Sequence, residues 1–161
     1  MTAHEREDGE VPYAVQLLFT WVVISFQLLW RNQGDFRNSL IDTDDAMRLV
    51  EVRALLAGRG WFDLHEPRVS PPGGYDTHWS RLIDAGLTGL YHLFSPFTSP
   101  QSAEYLMRAS WPLLCLLATL AAVMAVSRRL AGEAGLFAAG FISVLNTSAF
   151  YQFTPGRIDH H

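Results

Sequence analysis

The sequence predicts an all-α fold: a polytopic helical membrane protein with three transmembrane helices and a long extracytoplasmic helical loop. Two observations carry that expectation. Hydrophobic residues make up 49% of the 161 and charged residues only 17%, where a soluble domain carries about a quarter. The apolar residues also sit in blocks. Three runs, near 13–30, 109–126 and 134–153, are long enough, at about 1.5 Å of rise per residue, to approach a hydrocarbon core of roughly 30 Å.

The chain opens on an acidic polar tail, 1–12, with Glu5, Glu7, Asp8 and Glu10. It lacks the basic start and small-residue exit of a cleaved signal peptide, so the run behind it reads as a retained span. That run, 13–30, is uncharged and bracketed by Tyr13, Trp21 and Trp30, aromatic residues of the kind that settle at bilayer interfaces. The segment 31–108 holds most of the charge. Within it, residues 45–57 read as an amphipathic helix: Asp44 or Asp45 supplies a cap, Met47, Val50, Ala54 and Leu55 recur at helical spacing, and Gly58 and Gly60 end it. Arg48 and Glu51 look like its exposed face. Trp61 and Phe62 follow as an interfacial anchor, and Ser70-Pro71-Pro72-Gly73-Gly74 forces a turn. Residues 82–97 are apolar but contain Asp84 and His92 and number sixteen, short of the roughly 17 that a span requires. They read as a helix on the membrane surface or packed on the spans, with Asp84, His92, Glu104 and Arg108 solvated or interfacial.

The second span, 109–126, is followed by Arg128-Arg129, and the third, 134–153, carries Gly135, Ala138, Ala139 and Gly140, small residues that suit close helix packing. A short basic connection, 127–133, belongs on the cytoplasmic side. The loop 31–108 and the C-terminal segment 154–161 then share the opposite side. Cys115, the one cysteine, lies inside an apolar run and reads as a small buried hydrophobe. Twelve arginines, no lysine and a net charge of −4 give no basic surface for a nucleic acid. No Gly-rich phosphate loop, paired-cysteine site or Gly-x-Ser-x-Gly turn occurs.

Three motifs carry candidate chemistry. Asp42-Thr43-Asp44-Asp45 places three carboxylates within four residues, more than one helix cap requires, and such oxygen donors suit a hard divalent cation, Mg²⁺ or Mn²⁺. Helix capping is the bland alternative. Gly156-Arg157-Ile158-Asp159-His160-His161 offers Asp159 and His161 as an acid-x-His pair able to share a metal, with Arg157 for a phosphate; the bland alternative is a solvated tail. In Asp76-Thr77-His78-Trp79-Ser80-Arg81, His78 is a candidate ligand or base and Arg81 a phosphate clamp, against a reading in which Thr77 or Ser80 caps a helix and Trp79 sits at the interface.

The order of span, Thr43-Asp44-Asp45-Ala46-Met47, amphipathic helix, aromatic and Pro/Gly loop, apolar helix, two-span hairpin and Gly156-Arg157-Ile158-Asp159-His160-His161 resembles the N-terminal part of the GT-C membrane glycosyltransferases. The layout is nearest to the catalytic subunit of oligosaccharyltransferases. It is also similar to uncharacterised bacterial multi-pass membrane proteins with His78-Trp79-Ser80-Arg81-Leu82. The resemblance implies a divalent metal held by Asp45, Asp159 and His161, with Asp44 competing for the first-loop role. It further implies a polyprenyl-phosphate-linked sugar donor contacted by Arg157, Arg81 and His78, and an acceptor positioned or deprotonated by a carboxylate such as Asp44. His161 stands where the family has a second acid. The location implied is a bacterial inner membrane with the acidic motifs on the periplasmic side. On this likeness the chain covers only the first quarter or so of such an enzyme and looks truncated. The rival expectation is a non-enzymatic membrane subunit or a transporter fragment, in which the acidic residues cap helices or line a polar path.

Overall fold

The structure, a computed structural model, describes residues 11–32, 40, 42–146 and 149–159. The expected helical class holds: helices dominate, joined by one two-stranded hairpin. In chain order they are α1 (Tyr13–Arg31), α2 (Thr43–Leu56), β1 (His65–Glu66), β2 (Tyr75–Asp76), α3 (Arg81–Phe94), α4 (Pro100–Leu145) and a 3-10 turn (Ala149–Phe153). The chain divides into two compact units, Met1–Arg31 with Leu113–Phe153, and Asn32–Pro112 with Thr154–His161.

The first unit is built from the apolar runs. Ile24 and Leu28 of α1 pack with Leu113, Leu116 and Leu120 of α4. The Trp21 indole donates to the Leu113 carbonyl at 2.7 Å and the Tyr13 hydroxyl to that of Ala121 at 2.7 Å, so polar tips are satisfied where their rings are half-buried. The outward side chains stay apolar, among them Phe19, Phe26, Phe137 and Leu145.

Among the described residues two helices, α1 and α4, are long and apolar enough to cross a membrane, where three separate runs were expected. The second and third runs lie in the one element α4, because helix continues through Arg128 and Arg129 and breaks only at Ala131 (φ −135°, ψ 17°) and Gly132 (φ 64°, ψ −152°). A left-handed residue without a Cβ makes that turn at little cost. The expected connection 127–133 thus contracts to two residues. Helix also ends at Leu145 rather than Phe153. Beyond the break, a Cβ on Gly140 would stand 2.9 Å from Thr20 Oγ1 of α1; only a small residue permits that approach.

The second unit has its own core: Leu49 and Val52 of α2, Leu87 of α3, Met107 of α4 and Ile158 of the C-terminal segment. α2 starts at Thr43, two residues before the expected start, and its cap is Asp42 instead of Asp44 or Asp45; the Asp42 carboxylate accepts from the amides of both at 3.0 Å. Gly58, at φ 93°, lies just past its end. The turn expected over 70–74 is the tip of a hairpin in which His65 pairs with Asp76 and Glu66 with Tyr75. Ser80 caps α3 by accepting from the Leu82 amide at 3.2 Å. With fourteen residues that helix is too short to cross a bilayer. Gly86 lets it close onto the Trp111 ring, which any Cβ there would strike.

Candidate functional site

The two acidic motifs meet inside the second unit. The Asp45 carboxylate, on the first turn of α2, accepts from the amides of Ile158 at 2.7 Å and Asp159 at 2.9 Å, both at Oδ1. These residues lie 113 and 114 positions apart in the chain. Three features bring them together. The Asp42 cap fixes the helix start, Ile158 sinks fully into the core, and the Gly156 amide donates to the Arg108 carbonyl at 3.1 Å. Asp45 and Asp159 are both buried. Asp45 Oδ2 is buried without a hydrogen-bond partner. Burial pushes the Asp45 carboxyl above its ordinary pKa, while the amides of Asp159 and Ile158 act in the opposite direction. Asp42 is shifted downward, chiefly by the Asp45 amide and further by the Arg157 charge.

Behind this contact runs a buried chain of opposite charges. Arg48 donates to Asp159 Oδ1 through Nη2 at 2.9 Å and Nε at 3.3 Å, and to Asp84 Oδ1 through Nη1 at 3.0 Å. The Trp79 ring lies 4.4 Å from its guanidinium carbon, a stacking that suits a planar delocalised cation. Asp84 Oδ2 accepts from Arg81 Nη1 at 2.9 Å, and that nitrogen also donates to Glu51 Oε2 at 3.0 Å. Arg81 completes its set on the carbonyls of Trp61 and Asp63. α2, α3, the 61–63 turn and the C-terminal segment are thereby joined through two guanidiniums. Removing one member of such a buried network strands its partner, a cost of about 3–5 kcal/mol.

Several expectations need correction here. Arg48 and Glu51 are not an exposed helix face, and Asp84 and Arg108 are not solvated: all four are buried. On α2, residues 45, 48, 49 and 52 share one stripe at helical spacing, so charged and apolar side chains enter the interior together. A pattern that assigns every charge to solvent misses them. The signal available was their spacing relative to Leu49 and Val52.

The other candidates fall in different places. Arg81 spends its donors on the network just described. His78 is exposed, with Nδ1 3.5 Å from the Tyr75 hydroxyl. Asp44 is half-buried beside the cap. Arg157 is partly buried, with Nη2 3.5 Å from Asp42 Oδ2. His161 lies outside the described residues, and among the described residues no group of three His, Cys, Asp or Glu is gathered for a metal. The chain matches no protein-family model, no curated protein and no solved structure.

Proposed function

We propose that this chain is the N-terminal part of a GT-C-like integral membrane glycosyltransferase, acting on a polyprenyl-phosphate-linked sugar with a divalent metal at a site facing the periplasm of a bacterial inner membrane. The observation that carries the reading is the clasp of Asp45 on the Ile158-Asp159 backbone. The motif that follows the first apolar helix and the motif that follows the last one contribute to one buried centre, which is the juxtaposition the family resemblance requires.

Membrane embedding draws further support from α3, which buries its charges beside Leu87 and leaves large apolar side chains outside. Its charged residues face the interior, Arg81 at 5% and Asp84 at 0% exposure, while Leu82 at 76% and Leu93 at 59% face outward, continued by Phe97 at 82%. A helix in water places its charges the other way. The adjoining turn, tied to α3 by Arg81, exposes Trp61 and Phe62, side chains that favour the headgroup and acyl boundary.

The donors present fit a hard cation of the Mg²⁺ type. That ion takes one or two carboxylates, keeps several waters and completes its shell with substrate phosphate. Asp45 Oδ2, buried without a partner, is the oxygen such an ion would satisfy, with Asp159 beside it and His161 the third candidate. The metal supplies charge neutralisation to the departing polyprenyl phosphate. Arg157, paired with Asp42, would bind the phosphate, whereas Arg48 and Arg81 hold the carboxylates in position. Asp44, half-buried on the first turn of α2, positions or deprotonates the acceptor as the bond from the sugar to phosphate breaks.

The test is transfer of labelled sugar from a synthetic polyprenyl-phosphate donor by the protein in its native membrane. Activity is expected to need a divalent cation and to fall about 100-fold or more in Asp45→Asn and in Asp159→Asn. Transfer that survives a chelator, or either substitution, refutes the metal-dependent reading.

A further inference from the structure

A second polar feature of the same unit is not used above. A cleft of about 710 Å³ opens between α2, α3 and the start of α4, and among its lining residues are Arg53, Tyr91, Gln101, Glu104, Tyr105 and Arg108. Two guanidiniums face it against the single carboxylate of its wall. Glu104 is gripped by Arg53, Nε to Oε2 at 2.7 Å and Nη2 to Oε1 at 2.8 Å, and Arg108 Nη1 stands 4.0 Å from Oε1. The pair at the mouth is not sealed, since the Arg53 side chain is well exposed. Arg108 is buried. A cleft with a net positive wall, a buried inner arginine and tyrosine and amide groups around it is built for a compact oxyanion, because guanidinium groups bind phosphate oxygens through paired, charge-assisted hydrogen bonds.

We propose that this cleft binds a phosphate ester, with Arg108 as the inner cation, Arg53 as the outer one and Glu104 as the carboxylate that the phosphate displaces from Arg53. The binding does not require the transferase reading. The phosphate has two sources in principle, a lipid headgroup or a soluble ester, and the chemistry is the same for both.

The experiment uses the full chain in nanodiscs of neutral lipid. Inorganic phosphate is titrated and followed by ³¹P line broadening, and a second set of nanodiscs carries phosphatidic acid as the lipid phosphate. Saturable binding is expected, weakened about tenfold or more in Arg108→Gln and less in Arg53→Gln. Glu104→Gln is expected to tighten it severalfold, the opposite sign, which a variant that merely loosens the fold does not produce. Binding of phosphatidic acid without binding of free phosphate assigns the cleft to a lipid headgroup, and binding of both assigns it to soluble esters as well. No saturation with either probe overturns the proposal, as does equal binding by the wild type and the arginine variants, or weakened binding in Glu104→Gln. Loss of sugar transfer alone leaves these phosphate results unchanged, so the two readings fail separately.

Discussion

Asp45 has a structural duty that substitution can separate from the metal role proposed for it. Its Oδ1 satisfies two buried backbone donors, and an asparagine carbonyl accepts the same pair, so Asp45→Asn is expected to stay within about 1 kcal/mol of the native stability. Asp45→Ala leaves both amides buried without an acceptor and is expected to lose about 2 kcal/mol or more. Thermal denaturation of the two variants in detergent, side by side, checks the difference. Glu66 provides a pH readout away from the acidic motifs. Its carboxyl is buried and held below the ordinary glutamate value of 4.5, first by the Arg68 side chain, with Nε to Oε1 at 2.8 Å. A depressed folded pKa contributes stability above the unfolded value that disappears as pH falls through the folded one. Glu66→Gln is therefore expected to destabilise the protein at pH 7 and to converge with it in acid, as pH falls through the depressed Glu66 value below 4.5. A gap that persists in acid contradicts that origin.

Helix α3 shows how much of the architecture a sequence states and where it falls silent. Its existence and its insufficient length for a span were legible from residues 77–97, and its cap was narrowed to Thr77 or Ser80, of which Ser80 is the one. So was α2, from its apolar spacing and Gly58. The placement of their charges was not legible, because an arginine enters an interior only when specific partners await it, and the partners of Arg48 lie 36 and 111 residues away. The exposed apolar side chains of α3 yield an expectation of their own. In a Cys115→Ala background reconstituted in vesicles, nitroxides at Leu82, Gly89 and Leu93 are expected to be relaxed more by oxygen than by a polar nickel chelate, and one at His78 the reverse. Equal or inverted accessibility at the three α3 positions contradicts a lipid-facing helix.

Taken as units, the polypeptide joins an apolar helical bundle to a second body closed by its own distant C-terminal segment. That closure was foreseen only as an argument about sidedness; its agents are Ile158 in the core, Asp159 on Arg48 and Gly156 on Arg108. Removing residues 154–161 is expected to strand Arg48 and open a cavity at Ile158, exposing the amides of α2 and α3 to hydrogen exchange while those of α1 keep their protection. Uniform protection after truncation means the segment does not close that body. In that body Asp159, Asp84 and Glu51 are held by two guanidiniums and Asp45 by two backbone amides, and among the described residues both Asp45 Oδ2 and Glu51 Oε1 stay buried without a hydrogen bond.

The most direct measurement is a Mn²⁺ titration, followed by electron paramagnetic resonance, of the full chain in nanodiscs carrying a polyprenyl phosphate. One ion per chain is expected to bind, with ³¹P coupling to the lipid phosphate, and to be lost in Asp45→Asn even though that variant keeps its fold. No bound Mn²⁺, or binding of equal strength in the wild type, Asp45→Asn and Asp159→Asn, contradicts a shared metal centre.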